Sequence, residues 1–187
     1  MSSPPQTPAF LAVGSNLEPE KHIPAALEKL RARLRVTAVS TFYRTAALTD
    51  PARAGQAGAP GPHFLNGVVR VETDLPPRIV KFEILRRIED ELGRVRAADR
   101  YASRTIDLDL VLYGNVALDE PGLRLPGPDI RTRSFIAVPL LELAPELVLP
   151  DTGERLAELA VAHDLTGLEA RGEFTKVLRG QVSGRRM

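Results

Sequence analysis

The chain has 187 residues, of which 43% are hydrophobic and 26% are charged, a composition that is ordinary for one soluble globular domain. The 25 basic and 24 acidic side chains give a net charge of +1, so the overall charge favours neither nucleic acid nor a membrane as a partner. Cysteine is absent, which excludes disulfides, thiolate metal sites and a cysteine nucleophile, and is consistent with a reducing cytoplasm.

Two strands and a helix are predicted in the first quarter of the chain. The apolar run 10–13 ends at the turn-forming residues 14–16, which is typical of a buried strand followed by a turn. Apolar residues then recur every three or four positions over 18–34, the spacing of one helical face. Residues 36–43 are rich in β-branched and aromatic side chains and are predicted to form a second strand.

The middle of the chain alternates loops with regular elements. Residues 49–62 are rich in glycine and proline, which indicates a long loop, either a functional lid or a disordered insertion. A third strand is predicted over 64–71, and a second helix starts at the proline pair 76–77 and ends at Gly93. No apolar period continues through the arginine-rich residues 94–104 that follow.

The fourth strand, 105–113, alternates strictly between apolar and other residues. The alternation predicts two faces, with Ile106, Leu108, Leu110 and Leu112 on one and Asp107, Asp109, Val111 and Tyr113 on the other. The order of elements is β-α-β-β-α-β, which is typical of the ferredoxin-like fold. We therefore predict an α+β, ferredoxin-like βαββαβ two-layer sandwich with an antiparallel sheet and both helices on one face.

One domain is predicted over residues 9–165, between a disordered lead at 1–8 and a C-terminal tail at 166–187 that frays towards its end. Two short helices are expected late in that domain, over 131–143 and near 156–160. The lead lacks the basic start and apolar core of a signal peptide. No apolar stretch approaches the roughly 20 residues of a membrane helix, so we expect no membrane association and a cytoplasmic location.

Asp107 and Asp109 predict a metal site. Because they alternate along a strand, their side chains share a face, with Cα atoms about 6.5 to 7 Å apart. Two carboxylates this close to a core strand require either protonation or a shared cation. Mg²⁺ fits, since it is held by one or two carboxylates together with substrate phosphates. The competing interpretation is a polar strand edge that faces solvent.

Four arginines precede this aspartate pair: Arg94, Arg96, Arg100 and Arg104. Guanidinium groups are planar donors that suit phosphate oxygens, although such a run alone is more often a solvated basic loop. Next to the aspartates, they indicate a nucleoside triphosphate site. Neither a P-loop nor a Gly-x-Gly-x-x-Gly motif is present, so this site differs from both standard nucleotide cradles.

The stretch 100–111 resembles the signature of the 6-hydroxymethyl-7,8-dihydropterin pyrophosphokinases of folate biosynthesis. Shorter matches lie at 12–16, 42–45, 64–66 and 133–140, and the resemblance extends over about 9–151. It implies transfer of pyrophosphate from ATP to the hydroxymethyl oxygen of the pterin, with release of AMP. It also implies a monomer whose partners are these small molecules rather than nucleic acid or membrane.

The resemblance also implies roles for individual residues. Two Mg²⁺ ions would be held by Asp107 and Asp109. Catalytic roles fall on Arg94, Arg100, Arg104, Asp107 and Asp109. ATP contacts fall on Glu89, Arg94, Arg96, Arg104, Leu110 and Arg133. The pterin would be bound by Thr45, Leu48, Phe64, Asn66 and Phe135. Pattern alone favours core packing for Phe64 and Phe135, and only the resemblance makes them stacking platforms.

The sequence departs from the family at several positions. Pro126-Gly127 stands where the family usually has a Pro-His pair whose histidine contacts the ATP phosphates, and Arg131 and Arg133 are the candidates to replace it. Arg86 stands where a glutamine is common. These departures motivate one alternative function, a catalytically impaired relative that retains ATP binding.

A second alternative is a ferredoxin-like RNA-binding module, in which aromatics on the two central strands stack on single-stranded bases. The aspartates on the central strand, the net charge of +1 and the 5% aromatic content argue against it.

Overall fold

The computed structural model describes residues 6–46, 62–95, 103–161 and 165–184. The strands are β1 Thr7–Ser15, β2 Arg35–Val39, β3 Tyr43–Thr45, β4 Phe64–Thr73, β5 Asp107–Tyr113, β6 Leu118–Glu120, β7 Leu123–Leu125 and β8 Glu169–Ala170. The helices are α1 Pro19–Arg31, α2 Pro77–Ile79, α3 Arg86–Glu91, α4 Ser134–Leu143, α5 Leu156–Val161 and α6 Gly172–Ser183. A π-helical turn, Val80–Leu85, joins α2 to α3, and a 3-10 turn, Pro128–Ile130, precedes α4.

An antiparallel sheet is the centre of the fold. Its strand order is β5-β1-β4-β3-β8, and β2 also pairs with β4. The central strand β1 pairs with β4 over its whole length, from Thr7 opposite Thr73 to Ser15 opposite Leu65. The predicted combination of helices with an antiparallel sheet is confirmed. No helix in the described ranges is long and apolar enough to cross a bilayer.

Helices cover both faces of the sheet. Alternate residues of β1 point to opposite faces, so Leu11 packs with Leu27 of α1, whereas Phe10 packs in a second cluster with Leu140 of α4 and Leu156 of α5. The first face, with α1 and α3, corresponds to the predicted helical layer. The prediction of two layers is incomplete, because α4 and α5 form a further layer on the other face.

A β-bulge in β5 corrects the predicted alternation. Leu110 lies opposite Leu11, but Leu112 lies opposite Phe10, so Val111 is an extra residue in the ladder. Leu112 consequently joins the cluster of α4 and α5, and Tyr113 joins the opposite core. The predicted faces of these two residues are therefore wrong, whereas those of the residues before the bulge are confirmed.

Element boundaries differ from the prediction at both ends of the chain. Strand β1 begins at Thr7, inside the predicted disordered lead. At the other end, α6 continues to Ser183, where fraying was expected from residue 180. The reason for the longer α6 is tertiary: Leu178 is buried in the core, Val182 packs against it, and Arg179 Nε donates to the Val39 carbonyl at 3.0 Å.

Candidate active site

A cavity of about 620 Å³ lies where the C-terminal end of β1 meets the N-terminal ends of β4 and β5. It is on the face of the sheet that carries the aspartates. Ten of the residues predicted for the site line it: Thr45, Phe64, Asn66, Glu89, Arg94, Arg104, Asp107, Asp109, Arg133 and Phe135. Side chains from four strands or their loops, and from α3 and α4, thus converge on one space.

Asp107 is held by two arginines. Arg94 Nη1 donates to Asp107 Oδ1 at 2.6 Å, and Arg104 Nη1 donates to Asp107 Oδ2. Arg94 also contacts the carboxylate of Glu89, which is only 3% exposed and accepts the backbone N–H of Leu108 at 2.9 Å. Glu89 therefore ties the arginine and strand β5 to α3, and two guanidinium groups, which are suitable donors to phosphate oxygens, are held beside Asp107.

Asp109 has a different partner, Lys81, which sequence reasoning missed. Lys81 Nζ lies 2.6 Å from Asp109 Oδ1. That oxygen is buried and receives no hydrogen bond of good geometry, although the side chain as a whole is 51% exposed. Burial raises the pKa of Asp109, and the charge of Lys81 opposes that rise. One carboxylate oxygen thus faces the lysine, leaving the more accessible part of the group towards the cavity.

The aspartate pair fits a hard divalent cation that is shared with a substrate. Both carboxylates line the same cavity, and the Asp109 side chain is 51% exposed, although one of its oxygens faces Lys81. Within the described residues, no cluster of three or more acidic, histidine or cysteine side chains could hold a metal by itself. Such a donor set suits Mg²⁺, which completes its oxygen shell with water and phosphate.

The other half of the cavity is flat and less charged. Phe64 and Phe135 line it and are only partly buried, so neither belongs to the fully buried core. Asn66 Nδ2 donates to Thr45 Oγ1 at 2.8 Å. A Cβ at Gly14 would lie 2.6 Å from Asn66 Oδ1, so the glycine is what lets this amide approach β1. Aromatic faces beside an oriented amide suit a flat heterocycle with a polar rim.

Asn16 links the two halves, a role that its turn-forming character did not reveal. Its Oδ1 accepts the backbone N–H of Arg104 at 2.7 Å. Its Nδ2 donates to Ser103 Oγ at 3.2 Å and to the carbonyl of Pro62 at 3.3 Å, two residues before Phe64. One buried side chain thus positions both the arginine and the start of β4.

One predicted residue is not brought to the cavity, and the positions of three others are not described. Leu110 is fully buried on the opposite face of β5, in the core with α1 and α3, so its side chain does not line the site. The others, Leu48, Arg96 and Arg100, lie outside the described residues.

The model of the family described as 7,8-dihydro-6-hydroxymethylpterin-pyrophosphokinase (HPPK) matches residues 10–145. The chain belongs to this family. The 2-amino-4-hydroxy-6-hydroxymethyldihydropteridine pyrophosphokinase of Pseudomonas aeruginosa is 40% identical over 163 residues, which cover 86% of this chain and 94% of the relative. The protein of the same name from Haemophilus influenzae is 37% identical over 147 residues, which cover 77% of this chain and 86% of the relative. The predicted family and its pyrophosphokinase class are confirmed, in preference to an RNA-binding module.

Solved structures agree on the fold. A crystal structure of an HPPK-DHPS in complex with substrates has a TM-score of 0.64 at 14% identity, covering 84% of this chain and 44% of that chain. The structure of an HPPK-DHPS triple mutant from Plasmodium falciparum has a TM-score of 0.62 at 12% identity and covers 86% of this chain and 44% of that chain. The chain spans less than half of those solved chains, and at these identities the likeness shows the fold alone.

Gly127, for which the family resemblance predicts a histidine, is constrained by the bulge in β5. The Gly127 N–H donates to the Val111 carbonyl at 2.7 Å, and a Cβ at Gly127 would lie 3.3 Å from Val111 Cα. Of the two candidate replacements, Arg131 bonds to Asp151 at 2.8 Å and does not line the cavity. Arg133 does line it, so Arg133 is the better placed of the two.

Proposed function

We propose that this HPPK-family chain transfers pyrophosphate from ATP to the hydroxymethyl group of 6-hydroxymethyl-7,8-dihydropterin. The products are AMP and the pterin diphosphate, and the reaction is a step in tetrahydrofolate biosynthesis. The observation that carries the proposal is the division of one cavity into two parts. One part concentrates carboxylates and cationic side chains, and the other offers two aromatic rings beside an oriented amide.

At the charged end, the chain supplies positioning and electrostatic stabilisation. Asp107 and Asp109 would hold two Mg²⁺ ions, which supply Lewis-acid polarisation of the phosphate oxygens when bound. Arg94 and Arg104 already stand beside Asp107, so their guanidinium groups are placed to offset charge that develops on transferred and leaving oxygens. Arg133 adds a further cation on the α4 side.

At the flat end, the chain orients the acceptor. Phe64 and Phe135 would stack on the pterin ring, and Asn66, held by Thr45, would read its polar rim. A ring fixed in this slot brings its hydroxymethyl oxygen to the charged end without rotational freedom, which lowers the entropic part of the barrier. Leu48, Arg96 and Arg100 remain predictions from the family resemblance.

The proposal also includes the ferredoxin-like layout of the fold, the domain bounds, the oligomeric state and the cellular location. The strand order β5-β1-β4-β3, with α1 between β1 and β2 and the helical stretch α2–α3 between β4 and β5, supports a ferredoxin-like βαββαβ layout. The assignment of 9–165 as the domain, a monomeric state and a cytoplasmic location remain predictions.

The reaction is tested by incubating the purified protein with ATP, Mg²⁺ and 6-hydroxymethyl-7,8-dihydropterin and separating the nucleotides by chromatography. We expect AMP to form only when the pterin is present. ADP in place of AMP would show simple phosphoryl transfer. Tight Mg²⁺-ATP binding without turnover would instead establish the catalytically impaired relative, which Gly127 motivates.

A further inference from the structure

The π-helical turn before α3 changes which side chains face the cavity. The N–H of Arg86 donates to the carbonyl of Lys81, five residues earlier, where an α-helix would bond four residues back. In a regular α-helix these two side chains would lie about 140° apart around the axis. The wider turn brings both onto one side, and both line the cavity. Such single π turns recur at functional sites in proteins.

Each carboxylate of the aspartate pair has its own cationic partner within the chain. Asp107 contacts Arg94 and Arg104, and Asp109 contacts Lys81 at 2.6 Å. The lysine side chain is 21% exposed, so its charge is only partly screened by water. Because the ammonium is tethered to the helix, its effective concentration at Asp109 is high, and a free cation must compete with it.

We propose that Lys81 acts through Asp109 as an internal counter-ion that weakens divalent-metal binding at the aspartate pair until a nucleoside triphosphate is present. This inference rests on the proposed function, which places the metal at Asp107 and Asp109. The Lys81 ammonium repels a divalent cation, and it neutralises the Asp109 carboxylate that would otherwise bind the cation. The phosphates of a triphosphate offer the ammonium another anionic partner and bring ligands for the metal, so metal and nucleotide bind cooperatively.

The test measures Mn²⁺ binding by electron paramagnetic resonance, with and without a non-hydrolysable ATP analogue. Without nucleotide, Lys81→Met is expected to bind Mn²⁺ at least about tenfold more tightly than the wild type, because the Coulomb repulsion is removed. With the analogue, the difference should shrink. Lys81→Arg keeps the charge and should stay near the wild type. Lys176→Met, on exposed α6, removes an equal charge far from the cavity and should change nothing.

The controls separate this inference from the proposed function. If the wild type does not bind Mn²⁺ even with the ATP analogue, or if Asp109→Asn leaves that binding intact, the proposed metal site is wrong. If the wild type binds and Asp109→Asn weakens binding, but Lys81→Met binds Mn²⁺ no more tightly without nucleotide, the role of Lys81 is overturned alone. Lys81→Gln replaces Lys81→Met if the apolar side chain lowers the melting temperature.

Discussion

The two halves of the cavity are stabilised in different ways. At the charged end, each aspartate is in direct contact with a cationic side chain, and the most buried member, Glu89, bonds both an arginine and the backbone of β5. At the flat end, the contacts are aromatic surface and neutral hydrogen bonds, such as those from Asn66 to Thr45 and from Asn16 to Pro62. A buried charge that loses its partner costs far more than a lost aromatic contact or neutral hydrogen bond. Substitutions at the charged end should therefore have larger effects on activity or stability than substitutions at the flat end.

The largest effect is expected for Asp107→Ala. The substitution removes a proposed metal ligand and the partner of two arginines, so AMP formation should fall by about 10³-fold or more. The side chain points away from the core of α1 and α3, and Arg94 keeps Glu89 as partner, so the melting temperature should change little. Assays of AMP formation check the loss of activity, and thermal unfolding of the same variant checks the melting temperature. A large loss of thermal stability with residual turnover would contradict this placement.

Glu89→Gln should affect the fold as well as activity. The amide oxygen can still accept the Leu108 N–H, but the charge opposite Arg94 is lost in a buried setting. Because Arg94 keeps Asp107 as a partner, we expect the free energy of unfolding to fall by about 2 kcal/mol, the scale of one lost charge-assisted hydrogen bond. Urea denaturation measures it, with Glu83→Gln on the exposed side of the π turn as the matched control. Equal stability for both variants would refute the structural role of Glu89.

Asn16 touches both halves, so its variants sharpen the comparison. Asn16→Ala loses the bonds to Arg104 and to Pro62 and should lower kcat about 10-fold to 100-fold while raising the KM of the pterin. Asn16→Asp keeps the acceptor for the Arg104 N–H but loses the donor to Pro62. Compared with Asn16→Ala, this variant should therefore have a kcat closer to that of the wild type, whereas the KM of the pterin should stay raised. Identical parameters for the two variants would show that the side chain does not act on the two halves separately.

A graded effect is expected for Asn66→Ala at the flat end. Loss of one hydrogen-bonding amide should raise the Kd of the pterin about tenfold and leave ATP affinity unchanged. Fluorescence titration with the pterin and calorimetry with an ATP analogue measure the two separately. An equal loss of ATP affinity would show that the two ends are not independent.

The smallest effect concerns alkaline pH. Tyr43 of β3 donates to Glu142 of α4 at 2.5 Å, which joins the strand of Thr45 to the helix of Phe135. Burial, and then this hydrogen bond, raises the pKa of Tyr43 to about 12. Since the folded state holds this proton more tightly, the stabilisation is complete below pH 10 and is lost between pH 10 and 12. Tyr43→Phe should flatten this part of the stability profile in denaturation at successive pH values, and an unchanged profile would rule out Tyr43 as its source.

Some parts of the site could be predicted because the signal is local. Asp107 and Asp109 alternate on one strand, so the pattern alone placed both side chains on one face, away from Leu108. The arginines could be identified only as a group, because their partners are set by contacts that are distant in sequence. Arg94 and Arg104 line the cavity, whereas Arg131, a comparable candidate by sequence, bonds to Asp151 and lies away from it.

Sequence periodicity by itself determined the main strands, α1 and the placement of the aspartate pair, because apolar side chains must face the core at the repeat of each element. Only the tertiary structure decided the faces of Leu112 and Tyr113, the second helical layer and the position of Lys81. The bulge at Val111 and the π turn each add one residue to a regular repeat. Each extra residue is stabilised by packing against segments that are distant in sequence. Local patterns carry no information about those contacts.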